Sequence, residues 1–192
     1  MEKEVLVYVD LQGAPYLVGR LWMRTRRDRD SAAKDNEPRS YLEFVDILRQ
    51  YGAAPKEDMH ALWRRIVFSI LISNTDDHLR NHGFLWAGAA GWRLSPAYDL
   101  KPVPTDIKPR VVTTAIDLEG GATSLKVALE VASYFELSSA KARAIAAEVG
   151  QAVAAWRKEA VGLWLTAREI DRMASAFEHD DLKAALALAI RG

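Results

Sequence analysis

The pattern of apolar and polar positions opens with two β-rich runs, Val5 to Val9 and Tyr16 to Trp22. They flank Gln12-Gly13-Ala14-Pro15, which predicts a strand–turn–strand hairpin. From Tyr41 the pattern turns helical. Tyr41, Phe44, Val45 and Leu48 stand at i, i+3, i+4 and i+7, and Gly52 with Pro55 ends that helix. A second helix is expected from about Lys56 to Ser73. Its last half, Ile66 to Ile72, is apolar on all sides and belongs at the centre of the core. Phe84 to Ala87 and Trp92 to Leu94 flank Gly88-Ala89-Ala90-Gly91, a second predicted hairpin. From Ser124 onward the chain is alanine-rich and helical, with Ser138 placed to cap one helix and Thr166 with Glu169 forming a capping box for another. Ile145, Val149, Ala152, Val153 and Trp156 read as one apolar stripe, and Trp63, Trp156 and Trp164 are expected in the core. There is no internal repeat. The predicted fold class is α+β: a short β element, then a mostly helical domain whose polar loops concentrate between residues 73 and 123.

Composition narrows the picture. Of 192 residues, 49% are hydrophobic, enough for a real core. The 26 basic residues cancel the 26 acidic ones, which argues against a uniformly basic nucleic-acid surface. A charged stretch from Arg24 to Arg39 resembles a nucleic-acid arm, but Asp28, Asp30, Asp35 and Glu37 are interleaved, so it reads as a solvated linker. The absence of cysteine excludes disulfides, thiolate metal sites and a cysteine nucleophile, and fits a reducing cytosol. Met1 to Asp10 has no apolar h-region and is not read as a signal peptide. The run Ile66 to Ile72 follows Arg64 and Arg65 and is too short to span a bilayer. A cytoplasmic protein with no membrane contact is expected.

The segment richest in chemistry is Asn74-Thr75-Asp76-Asp77-His78-Leu79-Arg80-Asn81, followed by Ser95-Pro96-Ala97-Tyr98-Asp99-Leu100. It begins where the apolar helix should end, and short polar segments anchored on a rigid element are where function concentrates. Asp76 and Asn81 have the D-x-x-x-x-N spacing that, in protein kinases, sets a catalytic base beside a magnesium ligand. The hairpin from Gly83 to Leu94 returns the chain so that Asp99 can approach Asn81. Oxygen donors of this kind suit magnesium. Taken alone, the spacing also fits an Asp that merely caps a turn. His60 and His82 lack metal-ligand spacing, and His179 lies in an acidic stretch expected at the surface.

The run from Asn74 to Leu85, with Leu94-Ser95-Pro96-Ala97-Tyr98-Asp99-Leu100 after a Gly-Trp-Arg strand, resembles the catalytic and metal loops of HipA-like serine/threonine kinases. The likeness extends upstream to Ser40-Tyr41-Leu42-Glu43-Phe44 and downstream through Ala128 to Ala132 and Ala176 to Asp181, roughly residues 31–182. The first hairpin resembles the opening of that family's N-terminal subdomain. The resemblance implies a mostly helical, protein-kinase-like C-lobe over residues 41–192, a β-hairpin remnant over 1–27, and a charged linker or deletion junction over 28–40.

It further implies ATP- and Mg²⁺-dependent transfer of a phosphoryl group to a protein Ser/Thr hydroxyl. Asp76 falls on the base, and Asn81 and Asp99 on the magnesium ligands. Arg80 falls on a basic position that can neutralise phosphate or serve as a surface charge, and His78 on one that orders the loop or is purely structural. Asp77 has no assigned role. Family members resemble toxins partnered by a small helix-turn-helix antitoxin, which implies a protein partner and at most indirect contact with DNA.

This sequence departs from the family between the hairpin and the helical lobe, where a nucleotide-binding region is expected. No G-x-x-x-x-G-K or G-x-G-x-x-G occurs, Lys34 lies in the polar linker, and Lys3 precedes the first strand. Loss of one charged clamp costs about 3 kcal/mol in transition-state stabilisation, roughly a hundredfold in rate, so autonomous activity is not expected. Three readings follow: a kinase completed by a complementary half, an inactive remnant that binds an antitoxin or substrate, and a metal-dependent hydrolase using the same residues.

Overall fold

The computed structural model describes residues 2–11, 14–24, 40–77, 81–105, 107, 114–116 and 124–189. The chain divides into two compact units, Met1–Glu37 and Pro38–Gly192. In the first, β1 (Glu2–Leu11) and β2 (Ala14–Arg24) pair antiparallel. The register shifts between Val7 and Tyr8. This is the hairpin expected from the two β-rich runs, but β1 starts earlier than expected, so Lys3 lies within the strand rather than before it. Most of the charged stretch after Arg24, residues 25–39, lies outside the described residues.

The second unit is mostly helical. Helix α1 (Tyr41–Tyr51) starts at Ser40, whose hydroxyl and the Glu43 carboxylate form a reciprocal capping box. It buries Tyr41, Leu42, Phe44, Val45 and Leu48, the face read from the periodicity. Helix α2 (Pro55–Leu71) begins with proline at the first turn, where the missing N–H costs no hydrogen bond. It is the central helix, packed against α1 and most of the elements that follow. Met59, Leu62, Trp63, Ile66, Val67, Ile70 and Leu71 are all buried, as its all-round apolar second half requires.

Next comes the antiparallel pair β3 (Phe84–Trp86) and β4 (Trp92–Leu94). Gly91, at φ +111°, closes it where a Cβ would lie 2.5 Å from the Tyr51 carbonyl oxygen, so only glycine fits. Helices α3 (Leu125–Glu130), α4 (Ser139–Ala154), α5 (Trp156–Gly162), α6 (Ala167–Phe177) and α7 (Asp180–Ala189) complete the unit. Ser138 caps α4 and the Thr166–Glu169 capping box opens α6, both as read from sequence. Helices α4 and α7 approach so closely that a Cβ on Gly150 would stand 2.8 Å from the Ala185 Cβ. The fold is α+β, mostly helical with small antiparallel strand pairs. No helix among the described residues is long and apolar enough to cross a membrane.

Two readings of burial need correction. The stripe through Ile145 and Val153 is interrupted: Ala152 is exposed, and α4 ends at Ala154. Trp156 therefore starts a new helix, half-buried and stacked on Phe177 with ring centroids 4.5 Å apart. Trp164 is not core at all. It follows α5 at φ +65° and is 93% exposed, because the short helix that precedes it has no buried residue to pull it inward.

Candidate functional site

The loop that leaves α2 is wound tightly. After Ile72, Ser73 adopts φ +52°, and the Asn74 amide turns back to donate to the Ser69 carbonyl at 2.8 Å. These bonds satisfy carbonyls that the end of a helix leaves without partners. They also swing Asn74, Thr75 and Asp77 inward, all of them buried.

Asp77 organises this loop. Its carboxylate accepts from the Tyr41 hydroxyl at 2.6 Å, the Ser69 hydroxyl at 2.9 Å and His82 Nε2 at 3.0 Å. Its backbone carbonyl accepts from the Thr114 hydroxyl at 2.8 Å. Burial alone would push the Asp77 carboxyl up. The hydrogen bonds from His82 and Tyr41, the charge attraction of His82 and the Ser69 bond outweigh it, leaving the group below its ordinary value. The same contact acts on Tyr41, whose phenol is raised by burial first and then by the Asp77 charge and hydrogen bond. His82 packs edge-on against Tyr41 and against Phe44, which fixes its ring plane.

Asp76, next in sequence, is half-buried rather than enclosed. Asn81 closes the loop by donating from Nδ2 to the Asp76 carbonyl at 3.1 Å, which leaves the Asn81 side-chain oxygen as an acceptor. The hairpin then carries the chain to Asp99. Asp58 on α2 holds it there, accepting from Arg93 Nε at 2.9 Å and from the Leu94 amide at 3.0 Å. Arg65 on the same helix donates to the Ser95 carbonyl, and burial draws its guanidinium below the ordinary value against the opposing pull of Asp58 and Asp77. Beyond Asp99, the Val103 amide donates to the Ser73 carbonyl at 3.3 Å, tying the segment back to the loop.

Asp99 stands at φ +56°, a left-handed backbone uncommon outside glycine, though aspartate adopts it more readily than most residues. Its carboxylate pairs with Lys101 Nζ at 2.7 Å. The Lys101 ammonium is raised by that hydrogen bond first, by the Asp99 charge, and further by the charge of Asp76. Asn81 lies at the same loop closure. His78 and Arg80 fall outside the described residues. Among the described residues, no group of three or more His, Asp or Glu side chains is placed to enclose a metal. That leaves a sparse set of hard oxygens, the kind magnesium uses while keeping several waters.

Residues 23–156 match the model of the HipA-like C-terminal domain, well over half of the chain. This chain belongs to that family. A Haemophilus influenzae protein named "Putative kinase" is 29% identical over 82 residues, which cover 42% of this chain and 24% of that relative. The matched part thus spans about a quarter of the relative's length. The chain is accordingly a HipA-family, kinase-related protein.

Several residues of this HipA-like lobe escaped the reading of its sequence. Asp77 had no role, yet it is the most heavily bonded carboxylate of the loop. His82 was set aside as a metal ligand, and it is instead the partner of Asp77 five positions away. His179, expected at the surface, is half-buried, with Nε2 3.1 Å from the Leu71 carbonyl at the end of α2. Lys101 carried one available signal, a cation two positions after a candidate metal ligand.

Proposed function

We propose that this lobe carries the phosphoryl-transfer residues of an ATP- and Mg²⁺-dependent serine/threonine protein kinase. The observation that supports it most is the loop closure in which Asn81 donates to the Asp76 backbone carbonyl, with Asp99 just past the hairpin that follows and paired with Lys101. The residues fit magnesium on chemical grounds, since all three offer oxygen and a cation already sits on Asp99. Asp99 and the Asn81 oxygen would hold the ion. When bound, it would neutralise charge on the transferring phosphoryl group.

Asp76 would accept the proton of the substrate hydroxyl as the new O–P bond forms and ADP departs with the electrons of the broken bond. The substrate is a protein hydroxyl. Such a reaction belongs in the cytoplasm, where ATP is available. The phosphate cradle has no counterpart in the sequence motifs, so other residues, on this or a complementary chain, would supply it. The partner besides the phosphoacceptor is a helix-turn-helix antitoxin, with DNA reached only through it. The same missing cradle favours a second reading, in which the lobe is catalytically inactive and binds the antitoxin or substrate protein.

Calorimetric titration of ATP with Mg²⁺ into the chain, beside Asp99→Ala, separates these. Micromolar binding lost in the variant supports the kinase reading. A folded protein with no detectable binding moves the conclusion to a lobe that acts only with a partner.

A further inference from the structure

Among the described residues, the geometry seats the Lys101 ammonium on one candidate metal ligand, Asp99. The ammonium lies 2.7 Å from an Asp99 carboxylate oxygen. Neither partner is sealed off: the lysine side chain is 59% exposed and the aspartate 38%. Asp99 is meanwhile held at a left-handed φ of +56° by a segment tied to Ser73 through Val103. A metal arriving at this carboxylate would meet the ammonium already paired with it.

We propose that Lys101 is a tethered counter-ion that occupies the Asp99 carboxylate in the metal-free protein and must be displaced when Mg²⁺ binds. This rests on the kinase reading of the site and assigns it a built-in competitor. A lysine on a flexible four-carbon stem neutralises the Asp99 carboxylate while remaining removable. Because the pair is solvent-exposed, its strength is modest. The lysine thus raises the metal concentration needed for occupancy without blocking it. Once released, the ammonium stays on its short tether beside Asp99.

The test is a metal titration on the full 192-residue chain, with no nucleotide present. Mn²⁺ is followed by electron paramagnetic resonance and Mg²⁺ by competition. Lys101→Met removes the competitor and is expected to bind metal about two- to fivefold more tightly than the native protein. Lys101→Arg keeps a cation and is expected to stay close to native. Lys126→Met, an exposed lysine on α3, leaves the affinity unchanged. Weaker or unchanged metal binding by Lys101→Met, with Asp99→Ala still abolishing it, overturns the counter-ion role while the site reading stands. Metal binding indifferent to Asp99→Ala overturns both. A structural role for Lys101 would lower stability and weaken the metal, the opposite sign.

Discussion

Trp63 and Trp164 were placed in the same class by their helical positions, and they ended at opposite extremes. Trp63 is fully buried on α2, and its indole N–H donates to the Ala128 carbonyl at 3.0 Å. Trp164 is 93% exposed in the turn after α5, beside Val161 and Leu163, which are exposed too. The helices that bear or precede them differ in what surrounds them. α2 packs against α1, α3, α4 and α7, so Trp63 is covered by its neighbours. The seven-residue α5 packs mainly on α4 and α6 and buries no residue. An aromatic residue reports the possibility of burial. The number of elements that reach it decides the outcome.

The comparison breaks most readily at Trp63. Trp63→Ala should cost about 3–5 kcal/mol, through the cavity and the orphaned Ala128 carbonyl, whereas Trp164→Ala should move stability by no more than about 0.5 kcal/mol. Urea unfolding with unchanged slope measures both. Comparable losses would mean that Trp164 is covered in solution.

Asp77→Asn comes next, at about 3 kcal/mol, because an amide cannot accept from Tyr41, Ser69 and His82 as the carboxylate does. The loss has a pH signature. A carboxyl lowered by folding contributes stability that is fully present above its unfolded value, near 3.8, and lost as pH falls through its still lower folded value. The gap between native and variant should therefore be constant near neutrality and close in strong acid. A gap that widens in acid would mean that the carboxyl is raised.

The smallest effect is expected from Trp164→Gly. Relief of the left-handed strain at φ +65° should stabilise by about 0.5 kcal/mol in thermal or urea unfolding. A loss instead would locate packing on the indole.

The legible parts share one property: they are local. Tyr41, Phe44, Val45 and Leu48 lie within two turns, so their common face is fixed by helix geometry alone. The Gly88–Gly91 turn and the Thr166–Glu169 box are similarly short-range. Ser40 with Glu43 carried the same capping signature, quoted for its family likeness and overlooked as a helix start. In the site, the Asp76–Asn81 spacing was visible because five residues of loop bring those groups together. The stripe that ran from Ile145 to Trp156 failed because periodicity does not announce the break at Ala155.

The remaining site features depend on distant partners. Tyr41 and Asp77 are 36 positions apart, and Asp58 reaches Leu94 across the same separation. By itself, the sequence determined the strand pairs, the capped starts of α4 and α6, the buried centre of α2 and the loop that holds Asp76 and Asn81, because each follows from backbone geometry over a few residues. Only the tertiary structure decided that Asp77 is the buried anchor, that Asp99 meets Lys101 on a left-handed backbone, and that Trp164 faces water. Those outcomes depend on which elements pack where, and packing is settled by the whole core at once.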